Sequence, residues 1–391
     1  MTLTRPAASL VAAATLALAA ATSATLVAAP PPPAPPRYTM TDLGTLRDGL
    51  ESHAQFINKR GQVAGESYIA TGERHLFFWD GATMHDLDAG IAVITGLNDQ
   101  GQVALIITTA PDTVHAALWD DGVLTDLGTL PGNLYSQAHG INNRGQVVGY
   151  SYGGGVSHGV IWENGATTTL GFLDGGEGTY PTLINDLGQV AGYAYTGQFE
   201  RHPFFWDHGV MTDLSLPLTR GSVVGEALGL NNHGQVVASE YSLITGEIQA
   251  FLWEGGSRTV IAGANPIGRW SPDRINDRGE VSGNQWTYPG TGYADLIPFF
   301  WRDGVMTEWN EAATTSQANA MNRNGVVVGE TTSNPLGVRG FVWDAGQLTE
   351  LPNASYSSAA AINDRGVIAG SAAIGRWVHA VIWTPTRPTT P

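Results

Sequence analysis

The pattern Ile/Leu/Met-Asn-x-x-Gly-x-Val/Ile recurs eight times in this chain, at Asn58, Asn98, Asn142, Asn185, Asn231, Asn276, Asn322 and Asn363, at spacings of 40 to 46 residues. A unit copied at that period buries its apolar face only against its neighbours, so the chain folds as an array of one supersecondary unit. Each copy carries a Trp about twenty residues further on: Trp79, Trp119, Trp162, Trp206, Trp253, Trp301, Trp343 and Trp383. Eight aromatics at equivalent positions read as packing residues between units, each burying roughly 150–250 Å².

Residues 136–171 display the unit most clearly. Ser136 to Ile141 precedes a turn, Asn142-Asn143-Arg144-Gly145; Gln146 to Ser151 leads through a loop to His158-Gly159-Val160-Ile161-Trp162; a second turn, Glu163-Asn164-Gly165, precedes Ala166 to Leu170. Four short segments of β character punctuated by Asn/Asp/Gly turns make a four-stranded antiparallel meander. The two turns are tight in every copy, whereas the connections from second to third strand and from one unit to the next vary. The tight turns therefore share one face of the molecule and the variable loops the other. No helical periodicity runs through residues 37–391.

The chain ends decide between an open stack and a closed ring. The last copy stops after its third strand at Trp383, and Tyr38 to Gly44 reads as a fourth strand lying ahead of any first one. An N-terminal strand that completes the C-terminal unit removes the open edge. The expected fold is all-β, an eight-bladed β-propeller of four-stranded antiparallel blades over residues 38–384, closed by that strand.

Residues 1–29 read as a secretory signal peptide: Arg5 is the only charge and an Ala/Leu/Val run follows, with an uncleaved membrane anchor as the alternative. Residues 30–37 are a Pro-rich linker and 385–391 a disordered tail. The expected location is secreted or periplasmic, with no membrane association beyond the export signal. With no cysteine, disulfides and thiolate metal sites are excluded. A formal charge of −16 spread along the chain gives no basis for nucleic-acid binding.

The run His115 to Leu130, followed by Ser136-Gln137-Ala138 and Ile141 to Gly149, closely resembles the HAF repeat of bacterial extracellular repeat proteins, named for the His-Ala-Phe step of the third strand. The resemblance recurs through residues 38–384, although Gln249, Ile297 and Arg339 replace the His in three copies. It implies export and repeat architecture, and no activity.

Chemistry has three candidate locations. His75, His115, His158, His202 and His379 open third strands, but equivalent positions on neighbouring units lie too far apart to share an ion, so a structural role is expected, with no metal and no cofactor. Polar residues beside the small residue of the first strand, among them His139, Glu226 and Asp273, are expected to line a central channel and are the acid/base candidates. Departures from the repeat supply the third: Trp270, Trp286, Tyr288, Trp309 and Glu311 are expected to form an aromatic platform for sugar rings on the loop face. On this reading the protein is a noncatalytic binding or surface-interaction module whose partner is a glycan or another extracellular polymer. The rivals are a polysaccharide-acting lyase or glycosidase, which paired carboxylates on the loop face would favour, and a ligand-free scaffold.

Overall fold

The structure is a computed structural model that describes residues 37–215, 223–243, 246–263, 268–287, 295–309, 314–333, 337–352 and 355–386. The signal peptide, most of the linker and most of the C-terminal tail lie outside these residues. The described chain is all-β apart from one 3-10 turn, Leu46–Asp48. The third repeat is representative: Tyr135–Ile141, Val147–Gly153, Val156–Glu163 and Ala166–Thr169 pair in that order, each antiparallel to the next. Arg37–Asp42, which precedes the first repeat, pairs with the last strand Trp377–Thr386, Met40 opposite Trp383.

The turns follow from backbone chemistry. Between third and fourth strands, Asn164 and Gly165 both have positive φ (50° and 77°), the two-residue geometry that matches strand twist. Ala345-Gly346 adopts the same turn with Ala345 at φ 46°, a conformation that Ala tolerates poorly.

At the other turn each repeat Asn is buried and fully engaged. Asn142 Oδ1 accepts from the backbone N–H groups of Arg144 and Gln146, both at 3.0 Å. Its Nδ2 donates to Gln146 Oε1 at 2.7 Å and to the Asn185 carbonyl of the next repeat at 2.9 Å. The inter-repeat bond is made in turn by Asn58, Asn98, Asn142, Asn185, Asn231, Asn276 and Asn322, and Asn363 donates back to the Asn58 carbonyl at 3.0 Å. A side chain with two donors and two strong acceptor positions is required here, and only the Asn amide fits it at this length.

Packing between sheets uses the third strand. Phe78 meets Trp119, Phe205 meets Trp253 and Phe300 meets Trp343, with ring centroids 4.8–5.0 Å apart. Phe77, Phe204, Phe251, Phe299 and Phe341 are wholly buried. The repeat Trp residues are buried except Trp79 and Trp253, which are half-buried.

Two features depart from the repeat reading. Each first strand carries a β-bulge at the same level, so Gln55, Thr95, His139, Thr182, Leu228, Asn319 and Ala360, and Pro272 with Asp273, stand outside the ladder. A bulge re-aims its side chain. Repeats three to five, moreover, are not separate sheets: single parallel bridges, Ser157↔Gly178 and Arg201↔Val224, join them into one 12-stranded sheet. At the first bridge the glycine lets the strands approach, and Ser157 N–H donates to the Glu177 carbonyl at 3.2 Å.

Candidate active site

The histidines of the third strand are structural clasps. His75, His115 and His202 hydrogen-bond the fourth-strand carboxylates Asp86, Asp126 and Asp213 at 2.8 Å, and His379 bonds Asp42 of the N-terminal strand at 3.0 Å. In the third repeat Thr169, opposite Val160, takes the place of the acid, and His158 lies against Phe172, ring centroids 5.2 Å apart. Burial opposes protonation of His202, but Asp213 and Glu200 outweigh it and raise its pKa.

The aromatic platform is corrected. Trp270 is 7% exposed and packs edge-on against Phe299 inside the hydrophobic core. Trp309 stacks on Trp343, centroids 4.6 Å apart, and meets Phe341 edge-on. Both are held against neighbouring aromatic rings, so their departure from the pattern reflects packing. Trp286, 39% exposed, is the member that reaches solvent among those described. Tyr288 and Glu311 lie outside the described residues.

The bulge row and the strand positions around it form a continuous polar and aromatic arc across the fused repeats three to five. His139 stacks on Tyr150 (5.6 Å), Tyr150 meets Tyr180 edge-on (5.1 Å), and Tyr180 stacks on its cross-strand partner Tyr193 (4.9 Å). The Arg201 guanidinium lies 4.8 Å from the Tyr193 ring centre and pairs with Glu226 at 3.2 Å. Arg269 approaches Glu226 from the other side at 3.8 Å. Asp273 follows in the next sheet, holding Ser271 Oγ at 2.5 Å and Asn284 Nδ2 at 3.1 Å.

These surroundings set distinct protonation tendencies. Burial raises Tyr193 to about 12, helped by Tyr195 and opposed by Arg201, so its phenol keeps its proton. Burial lowers the His139 pKa and favours the neutral imidazole. Burial also raises Asp273 against the stabilising contacts of Ser271, Arg274 and Asn284, and the charge of Glu226 adds to the rise. A buried carboxyl whose pKa is raised, following an ion-paired one along the same arc, is an arrangement that acid/base work can use.

His139, Glu226 and Asp273 thus fall along one arc. Tyr150, Tyr180, Tyr193 and Arg201, which join them, escape the sequence reading because Tyr in a strand is ordinary β composition. The available signal is register: Tyr150 and Tyr193 occupy the same second-strand position in consecutive repeats.

On the opposite face the eight Asn turns surround an opening of about 380 Å³. The residues after each Asn alternate around it, Lys59, Asn143, Asn232 and Arg323 with Asp99, Asp186, Asp277 and Asp364. Each Asp accepts the backbone N–H of the residue before it in the ring, as in Lys59 to Asp99 and Asn143 to Asp186, both 2.9 Å. The hydrogen bond that Lys59 donates to Asp99 raises the Lys59 pKa against the effect of burial, assisted by the charges of Asp99, Asp364 and Asp186. The opening is tied together by its own contacts.

No family model and no curated protein matches the chain. Solved structures do. The propeller domain of the Trilobed protease from Pyrococcus furiosus aligns at TM-score 0.50 with 10% identity, over 78% of this chain and 97% of that one. The oligogalacturonate lyase from Vibrio parahaemolyticus aligns at 0.50 with 7% identity, over 89% and 97%. The acylaminoacyl peptidase of Pyrococcus horikoshii aligns at 0.47 with 10% identity, and this chain spans 52% of its length.

The fold is a β-propeller fold. The expectation of a noncatalytic binding module is corrected: the solved structures of this shape include the propeller domain of a protease and a lyase, and of the aromatic platform on which the expectation leaned Trp270 is core and Trp309 is stacked on Trp343.

Proposed function

We propose that the chain is an exported enzyme of the HAF repeat type, secreted or periplasmic, that cleaves glycosidic bonds of an extracellular polysaccharide at the loop-face end of its channel. Its scaffold on this reading is an eight-bladed propeller closed by the N-terminal strand. The uninterrupted circuit of eight Asn bonds and the pairing of Arg37–Asp42 with the last strand support that closure.

The observation that carries the reading is that Asp273, whose pKa burial raises, follows along the arc from Glu226, held between Arg201 and Arg269. Two carboxyl groups in unlike surroundings, one buried and one ion-paired, are the kind of machinery that glycoside hydrolysis uses. In this scheme Asp273 protonates the leaving oxygen, Glu226 acts as base or nucleophile at the anomeric carbon, and Tyr193 hydrogen-bonds a sugar hydroxyl. A second reading, elimination by a lyase, draws on the protonated phenol of Tyr193 beside the Arg201 cation, which supply a proton donor and a countercharge for a uronate carboxylate.

The test is incubation of the secreted protein with a panel of neutral and acidic polysaccharides followed by product analysis. New reducing ends that vanish in Asp273→Asn support hydrolysis, and unsaturated ends that vanish in Tyr193→Phe support elimination. Products undiminished in both variants would refute the assignment of the site.

A further inference from the structure

The inter-repeat grooves of the turn face are filled to different degrees. In repeats two to four the residue after the turn Gly is a Gln that packs against the turn Gly of the following repeat and bonds an acid just past the repeat Trp. Gln102 reaches Asp120 at 2.9 Å, Gln146 reaches Glu163 at 3.0 Å and Gln189 reaches Asp207 at 3.2 Å. Repeat six uses the ion pair Glu280–Arg302 in the same place. These polar contacts bridge neighbouring repeats, and beside the Glu280–Arg302 pair an opening of about 490 Å³ remains.

The last repeat has no such contact. Val367 stands in place of the Gln, as Val326 does in repeat seven, and here Thr384 also replaces the acid, which repeat seven keeps as Asp344, where the chain runs on instead of turning into a fourth strand. What remains is a cleft of about 690 Å³ between the last repeat and the first, walled by Trp79, Ile382, Val367 and Pro385. Two exposed arginines, Arg60 and Arg365, border it, and the Arg365 guanidinium reaches across to Gly61. Neither takes part in an ion pair among the described residues, in a chain of formal charge −16. Arg60 donates one contact, from Nη1 to the Gln100 carbonyl at 3.3 Å, which leaves its other N–H groups available. Asp80, next to Gly81 on the same wall, is held by His85 at 2.8 Å and by two backbone N–H groups.

We propose that this cleft is a second saccharide site that binds a uronic-acid unit of the polymer, on the face opposite the candidate active site. Guanidinium groups bind carboxylates through paired N–H donors, and the indole with its proline neighbour accepts the apolar face of a pyranose ring. A volume of this size is in the range of small-ligand sites. The proposal rests on the reading of the protein as polysaccharide-acting, and it adds the charge of the substrate.

The test is calorimetric titration with tetragalacturonate and, in parallel, with a neutral galactose tetramer. The wild-type protein is expected to bind the acidic tetramer, with affinity falling as salt rises, and not the neutral one. Arg60→Ala/Arg365→Ala should weaken binding at least tenfold. Val367→Gln, which refills the groove without changing charge, should weaken it comparably. Absence of binding by the wild type, equal binding of the neutral tetramer, or unchanged affinity in either cleft variant would overturn the proposal. Arginine-dependent binding by a protein that cleaves no polysaccharide would sink the enzymatic reading and leave the cleft standing; cleavage without binding at the cleft would do the reverse.

Discussion

The two faces of this molecule follow opposite rules. On the turn face one solution is copied eight times, each Asn accepting from two backbone N–H groups of its own turn and donating one bond to the next repeat, with a fourth bond to the Gln or Glu side chain in all but the last two. On the loop-face side of the bulges the same register holds His53 and Glu66 in one repeat, Val93 and Ile106 in the next, Tyr180 and Tyr193 in the fourth. Copying marks where the fold is held. Variation inside an otherwise copied strand, rather than insertion between strands, marks where the chemistry gathers.

The largest test of this contrast is on the turn face. Asn142→Ala removes four hydrogen bonds and leaves buried backbone groups without partners, so a loss of roughly 3–5 kcal/mol is expected in urea unfolding, at about 1 kcal/mol per bond with the desolvation cost added. Gln137→Ala, in the variable row, should cost under about 0.5 kcal/mol. Equal losses would erase the distinction between the faces.

A similar loss, about 3–5 kcal/mol, is expected for Trp309→Ala because its ring stacks on Trp343, whereas Trp286→Ala should change stability by less than about 0.5 kcal/mol. This pair also measures what the sequence concealed. Trp270, Trp286 and Trp309 look alike as departures from a repeat. Whether such a residue is drawn into the gap between sheets or left in water depends on the path of the link beside it, which no local pattern encodes. The Asn turns were legible because their chemistry lies within five consecutive residues. The arc from His139 to Asp273 was legible only in its polar members, since the tyrosines that connect them become neighbours through register and through two single-residue bridges, Ser157↔Gly178 and Arg201↔Val224.

Smaller effects sharpen the account. His202 is raised in the folded state, so the stability it contributes is fully present below the ordinary histidine pKa of about 6.5 and is lost as pH rises through its higher folded value. His202→Gln should therefore flatten the pH dependence of the melting temperature from about pH 6 upward, a change that titration calorimetry of unfolding can follow. Persistence of the full dependence would remove His202 as its source. The smallest expected effect is a gain: Ala345→Gly relieves the positive φ of a tight turn and should stabilise by about 0.5–1 kcal/mol.

The central claim, that the fold resides in the copied face and the reaction in the varied one, is tested most directly by measuring polysaccharide cleavage and unfolding free energy together for Glu226→Gln and Asn142→Asp. Glu226→Gln should reduce cleavage by about a hundredfold or more, the scale of a lost acid/base group, with stability within about 1 kcal/mol of wild type. Asn142→Asp should lower stability by several kcal/mol and leave the rate of the folded fraction unchanged. Full cleavage by Glu226→Gln, or no cleavage of any polysaccharide by the wild type, would contradict the account.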